Sequence, residues 1–178
     1  MRRYVNAGHM SNPFTYRDSP IISADKQSVS ARSIPEEQRT VLQRFQQGPV
    51  AGALAPVVIL TGANSNEPVS LLDCFGHSFV VLYFCTGADA GLSALREVAT
   101  DLPDIQVALY LVVPKPPTIP ATDAVCVLLD GEGKGASAYN AGPRTLYLVR
   151  PDHHIAARRF ESDLGELPML LRYVVGEE

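Results

Sequence analysis

Three side-chain groupings could carry chemistry in this 178-residue chain, and each has a plainer alternative. Cys85 ends the apolar run Phe79-Val-Val-Leu-Tyr-Phe84, and Thr86-Gly87 then leads into a helical pattern that begins at Asp89. A thiol between a central strand and a helix N-terminus can be held as thiolate, the form that attacks peroxides and disulfides. The alternative is a partly buried thiol with no resolving partner, acting as a small hydrophobe. Gly131-x-Gly133-x-x-Ala136 follows the apolar run 125–129, and Asp152 comes on the order of 20 residues later, as in a dinucleotide-binding fingerprint. Against this, few residues before Asn140-Ala-Gly-Pro143 can be helical, Glu132 brings negative charge beside a phosphate, and Asp152 with Pro151 suits a hairpin turn. Asp152-His153-His154 could suggest a metal site, but adjacent residues on a strand point to opposite faces, and a solvated turn is the simpler reading. His9 and His77 have no identifiable partner in the sequence.

Cys74, Cys85 and Cys126 form no Cys-x-x-Cys and no zinc spacing, so the sequence assigns no metal ligand and no cofactor-binding residue. Cys126, inside the apolar run 125–129, is expected to be a buried, inert thiol, and Cys74 is not assigned as a disulfide partner of Cys85. Arg150, Arg158 and Arg159 flank the expected hairpin and are expected on an exposed, charged face that also suits an interface or a protected edge strand. No Ser-His-Asp set, paired-carboxylate helix or phosphate-binding loop stands out.

These residues need elements to hold them. Residues 1–33 are polar, lack periodicity and contain Pro13 and Pro20, which reads as an extended arm. A short helix follows over 35–47, with acids in its first turn, Pro35 at its start and Gly48-Pro49 as its stop. Strands are expected at 56–60, 79–84, 105–113 and 125–129. Helical segments are expected at 69–75, 89–102 (Leu92, Leu95 and Val98 inward) and 136–139, with a loop at 61–68. The prolines at 114, 116, 117 and 120 force an extended connection. Residues 145–160 read as a hairpin turning at 151–153, and Asp163 caps a last amphipathic helix over 164–175. The fold class is therefore α/β: a three-layer sandwich with a mixed central sheet, preceded by the arm. Residues 1–50 are assigned to the arm and short helix, and 51–178 to the domain.

The strand–turn–helix at 79–98 stands where a thioredoxin-like fold carries its reactive cysteine pair, and here Asp89, Ala90 and Leu92 occupy that stretch. Gly142-Pro143 sits near the place of that fold's cis-proline. Several motifs together resemble the C-terminal domain of flavin-dependent aromatic hydroxylases, the phenol hydroxylase and 3-(3-hydroxyphenyl)propionate hydroxylase type. Leu71-Leu-Asp-Cys-Phe-Gly-His-Ser-Phe-Val-Val-Leu82 is similar to an "LLDLFG-x-x-FVLL" opening, and Leu148-Val-Arg-Pro-Asp-His-His-Ile-Ala-Ala-Arg158 to an "LVRPDGHVAWR" hairpin. Gly52-Ala-Leu-Ala-Pro56 echoes a "PG-x-RAP" entry and Tyr16-Arg-Asp-Ser-Pro20 a "YR-x-SPL" segment. Two positions depart: His153 replaces the hairpin glycine and Ala157 a tryptophan.

The resemblance implies a thioredoxin-like domain without redox cysteines. Its role would be dimerisation and packing against a flavoprotein body, whose FAD and substrate domains lie outside these residues. The leading expectation is thus a non-catalytic interaction domain, a homo-oligomer or the partner of a flavoprotein, with no cofactor of its own. Leu167, Leu170, Leu171 and Val174 are candidate contact residues. The alternative is an enzyme, a single-cysteine thiol-redox or peroxiredoxin-like protein using Cys85; the weakest reading has this chain itself binding FAD. The net charge of −4 argues against nucleic acid and anionic membranes. No apolar run approaches the roughly 20 residues needed to span a bilayer, and the N-terminus lacks the apolar core of a signal peptide, so a cytoplasmic location is expected.

Overall fold

The computed structural model describes residues 26–27, 36–120 and 122–176. Its frame is one mixed sheet. Strand β4 (Phe79–Phe84) lies parallel to β5 (Val107–Val113), which lies parallel to β6 (Val125–Leu129). Helix α3 (Ala88–Ala99) makes the first crossover. On the other side β4 pairs antiparallel with β7 (Thr145–Val149), and β7 with β8 (Ile155–Phe160) in the expected hairpin. Beyond β6 come β2 (Ile59–Gly62) and β3 (Pro68–Ser70), both antiparallel to their neighbours. Of the arm, only Lys26–Gln27 lies within the described residues, as strand β1, which pairs parallel with β8. The sheet order among the described residues is β1-β8-β7-β4-β5-β6-β2-β3.

Apolar residues on both sides of the strands force coverage of both faces. Val81, Tyr83, Leu109, Leu111 and Leu146 face α3 and the C-terminal helix α5 (Leu167–Val175). Val80, Leu82, Phe84, Val112 and Tyr147 face α1 (Glu36–Gln47) and the single turn α2 (Leu71–Cys74). Each strand's alternation thus feeds two separate cores, which is the expected three-layer sandwich.

The second core is aromatic. Phe84, Tyr139 and Tyr147 meet at ring-centroid separations of 4.9 to 6.2 Å. Buried hydroxyls need partners: Tyr147 donates to the Tyr139 carbonyl at 2.6 Å, and Tyr139 to the Pro56 carbonyl at 2.8 Å. Phe45 of α1 packs on Phe160 and Tyr147.

The structure corrects the expected elements at several points. The strand expected at 56–60 runs instead from Ile59 to Gly62, because its pairing with β3 starts at Ile59 opposite Ser70 and its pairing with β6 runs through Thr61 and Gly62. The expected loop 61–68 is a tight hairpin in which Gly62 N–H donates to the Glu67 carbonyl and Asn66 N–H to that of Gly62. Asn66 takes a left-handed φ of 56°, which asparagine tolerates better than most residues. Val69 and Ser70 belong to β3, and the Ser70 hydroxyl caps α2 through Leu72 N–H.

Charge placement is also corrected. Arg158 and Arg159, expected on an exposed face, are 3% and 6% exposed. The Arg158 guanidinium lies 4.6 Å from the Phe45 ring centroid and donates from Nη1 to the carbonyls of Phe45 (2.7 Å), Gly48 (3.2 Å) and Pro49 (3.3 Å). Phe45 is in the last turn of α1, where its carbonyl also accepts from Gly48 N–H at 3.0 Å, and Gly48 and Pro49 follow the helix directly, so the guanidinium ties the end of α1 and its exit to β8. Arg159 Nη1 donates to the Arg158 carbonyl at 2.9 Å.

His153 sits in the hairpin turn at φ 69°, the left-handed position that the resemblance assigns to glycine. Its ring rests 5.9 Å from that of Phe75. That contact offsets backbone strain on the order of 1–3 kcal/mol.

Candidate functional site

The C-terminal ends of parallel strands are where an α/β sheet opens a crevice, and here the crevice is built around Cys85. Cys85 leaves β4 by donating its N–H to the Val112 carbonyl at 3.0 Å. Its thiol, half-buried, donates to the Gly87 carbonyl at 3.4 Å. Gly91 lets α3 approach closely, since a Cβ there would lie 2.8 Å from Leu111 Cδ1 and 3.2 Å from Cys85 Cβ.

Two cavities meet at Cys85. One, about 640 Å³, runs between α3 and the turn after β8 and is lined by Tyr83, Cys85, Glu97, Asp101, Arg144 and Glu161, among others. The other, about 190 Å³, is more apolar and includes Phe84, Val112, Ala136 and Pro143. The Gly142–Pro143 peptide is trans. In the larger cavity Arg144 Nη2 pairs with Glu161 Oε2 at 2.5 Å, with both residues in left-handed backbone conformations. Burial pushes the Tyr83 phenol up to about 12, so it is a neutral hydrogen-bonding group there. No histidine lines either cavity.

Asp89 lies in the first turn of α3, in the stretch where a thioredoxin-like fold carries its cysteine pair. Its carboxylate accepts from Thr118 N–H (2.6 Å), the Thr118 hydroxyl (2.5 Å) and Ile119 N–H (3.1 Å). Further along α3, Arg96 donates to the Pro120 carbonyl. Proline removes backbone donors and sets an extended path; these two side chains then hold that path against α3. The Thr118 hydroxyl foremost, then the Ile119 N–H, lowers the Asp89 pKa from its ordinary 3.8.

A carboxyl whose folded value lies below its unfolded one contributes its full effect above the unfolded value. The effect disappears as pH falls through the lower folded value. Loop 114–120 is therefore expected to stay protected above pH 4 and to loosen first in acid. In the Asp89→Ala variant it should be loose at neutral pH as well. Hydrogen exchange of the Thr118 and Ile119 amides checks both. Unchanged protection in the variant would rule the clamp out.

The structure deals differently with the other candidates. Asp130, 8% exposed, turns its carboxylate onto the start of α4 (Lys134–Ala138), accepting from Gly135 N–H at 3.0 Å and Ala136 N–H at 2.8 Å. A pyrophosphate on the Gly131–Ala136 motif would need those same donors, so the motif does not fit FAD or another dinucleotide. Asp152 closes the hairpin turn, pairing with Arg150 at 2.7 Å and accepting from His154 N–H at 3.2 Å. His153 turns to Phe75 instead, so the two histidines do not converge. Among the described residues no group of three or more His, Cys, Asp or Glu is placed to hold a metal ion. His77 is exposed, and His9 and Tyr16–Pro20 lie outside the described residues.

The cysteines fall on different faces. Cys85 packs with the α3 core and Cys74 with the α2 core, so the sheet separates them. Cys126, expected to be buried, is exposed. Its face of β6 is the one covered by α2, and α2 is one turn long.

No family model matches the chain, and no curated protein does. Solved structures do. The flavin-dependent monooxygenase PieE, determined with FAD and substrate, matches 93% of this chain at a TM-score of 0.58 and 23% identity. Aklavinone-11 hydroxylase, determined with FAD and aklavinone, matches 92% at 0.58 and 25% identity. In both cases the match takes up 26% of the other chain, so this chain spans about a quarter of their length, as one domain of such enzymes does. Peroxidoxin BcpB from Mycobacterium tuberculosis matches 73% of this chain and 99% of its own at a TM-score of 0.60 and 16% identity. The fold is thioredoxin-like.

Proposed function

We propose that this chain is a non-catalytic interaction domain. It acts as the C-terminal domain of flavin-dependent aromatic hydroxylases is expected to act, assembling with a second copy or with a flavoprotein body. The observation that carries this reading is Asp89: where the fold would present a reactive thiol, the chain has a carboxylate occupied in tethering its own loop. The likeness over 92–93% of the chain to one quarter of two FAD-dependent enzymes supports the same reading. Aromatic substrates and FAD belong in it to the partner, and a cytoplasmic location remains part of the proposal.

The contact residues first expected are not available: Leu167, Leu170, Leu171 and Val174 are all buried against the sheet. The same helix turns Met169 (70% exposed) and Tyr173 (53% exposed) outward, one turn apart. The assembly contact is assigned to this pair. Sedimentation velocity is expected to give a dimer, or a complex with a flavin-dependent hydroxylase core lacking its matching quarter. Met169→Glu with Tyr173→Glu should dissociate it. A monomer at high concentration that also ignores the core would overturn the reading.

The Cys85 enzyme is the second reading, favoured by the placement of a half-buried thiol where two cavities meet. It requires alkylation of Cys85 to remain fast well below the ordinary thiol pKa of about 8.5, and peroxide consumption lost in Cys85→Ser. Slow alkylation with no consumption of peroxide removes it.

A further inference from the structure

The larger cavity holds a buried tyrosine whose hydroxyl has no protein partner. Tyr83, on the α3 side of the sheet, is 4% exposed and lines that cavity, and its hydroxyl makes no hydrogen bond among the described residues. The buried tyrosines of the other core, Tyr139 and Tyr147, each donate to a carbonyl instead. Buried polar groups are ordinarily paired, so a hydroxyl turned into a cavity stands ready for whatever enters it. This one is neutral, and its oxygen can accept a hydrogen bond.

The charges around it are one-sided. Glu161 and Asp163, in the turn after β8, and Glu97 and Asp101, at the end of α3, face the single guanidinium of Arg144. Arg144 donates from both Nε (2.8 Å) and Nη2 to the same oxygen of Glu161, Oε2, which leaves Oε1 without a partner among the described residues. Among the same residues no cation pairs with Glu97, Asp101 or Asp163. Glu97 and Asp101 lie four residues apart where the α3 carbonyls already concentrate negative charge, a placement that costs the helix and that a cation would relieve. Val98 and Leu164 also line the cavity and offer methylene groups an apolar surface.

We infer that this cavity is a binding site for an aliphatic polyamine. One ammonium donates to the Tyr83 hydroxyl oxygen and to the Glu161 carboxylate. A second, a few methylenes along, meets Glu97 and Asp101 on the other wall, and the chain between them lies against Val98 and Leu164. Carboxylates on two separate walls call for two charges held apart, which a metal ion does not supply, and among the described residues no group of three or more ligands is placed to hold one. The volume, about 640 Å³, is that of a small-molecule site. Met169 and Tyr173 do not line it, so the site does not rest on the interaction reading.

The test is calorimetric titration of the full chain with spermidine, with amide chemical shifts to locate the ligand. Expected are one site per chain, shifts concentrated at residues 97–101 and 161–165, and binding about tenfold or more tighter than that of hexylamine, which carries one charge. Tyr83→Phe keeps the ring in the core and should weaken spermidine about tenfold. Glu97→Gln with Asp101→Asn should weaken it by a similar factor of about ten and bring it down to the level of hexylamine. Unchanged affinity in Tyr83→Phe overturns the inference. So do shifts spread over every acidic surface, or magnesium ions that reproduce the same shifts, since either means diffuse attraction to a chain of net charge −4. A peptide with two lysines that binds here where spermidine does not also overturns it. Sedimentation reads assembly separately, so the polyamine site can fail without the interaction reading and the reverse.

Discussion

Replacing Arg158 with alanine is expected to lower the unfolding free energy by about 3 kcal/mol. It should also release α1 before the rest of the fold opens. Three effects act together. The carbonyls of Phe45, Gly48 and Pro49, at the end of α1 and in the exit just after it, lose a charged donor. The Phe45 ring loses the cation 4.6 Å from its centre, an interaction worth roughly 0.5–2 kcal/mol depending on how far it is desolvated. The side-chain volume is lost from a site only 3% exposed. Removing a buried charge also recovers its desolvation cost, which keeps the total from being larger. Arg158→Met separates these effects: it restores packing but not donors and should recover about half of the loss. Urea unfolding gives the totals, and hydrogen exchange of the α1 amides gives the local release. If Arg158→Ala unfolds within about 0.5 kcal/mol of the parent, the guanidinium is not what fastens α1.

The second large effect is expected at Asp130. Asp130→Ala removes both acceptors from the start of α4 and leaves the Gly135 and Ala136 N–H groups without them, at a cost of about 2 kcal/mol. Asp130→Asn keeps one acceptor oxygen and should cost about half as much. Thermal or urea unfolding measures the series. Equal effects of Asn and Ala would mean that charge rather than hydrogen-bond geometry sets the cap. The helix is only Lys134–Ala138, so it has no length from which to make up the loss.

Both predictions concern residues that pattern reading misses or misplaces. Arg158 belongs to the hairpin motif, yet nothing within the motif says that its side chain crosses to a helix more than 100 residues earlier in the chain. Asp130 had a weak local signal, an aspartate at the end of β6 ahead of a short Gly-rich helical turn, although the N-cap residue itself is Gly133. The glycine spacing drew attention to phosphate binding instead. Asp89 had none: its partners are 29 and 30 residues away in a proline-rich loop.

What the sequence determined by itself was the layered frame. The apolar runs at Phe79–Phe84, 105–113 and 125–129 demanded cover on both faces. The helical spacing of Leu92, Leu95 and Val98 supplied one cover, and the turn at 151–153 closed the terminal hairpin. Periodicity is local, and burial follows from it directly. Only the tertiary structure decided which way isolated side chains point and what meets them. It put Arg158 under α1, turned Met169 and Tyr173 outward where Leu170 and Leu171 turn in, and left Cys126 uncovered beside Tyr110. It also tied Asp89, at the start of α3, to the proline-rich loop. The physical reason is the same in each case. Such a residue's environment is made by elements distant in the chain, and their approach depends on packing that no window of sequence contains.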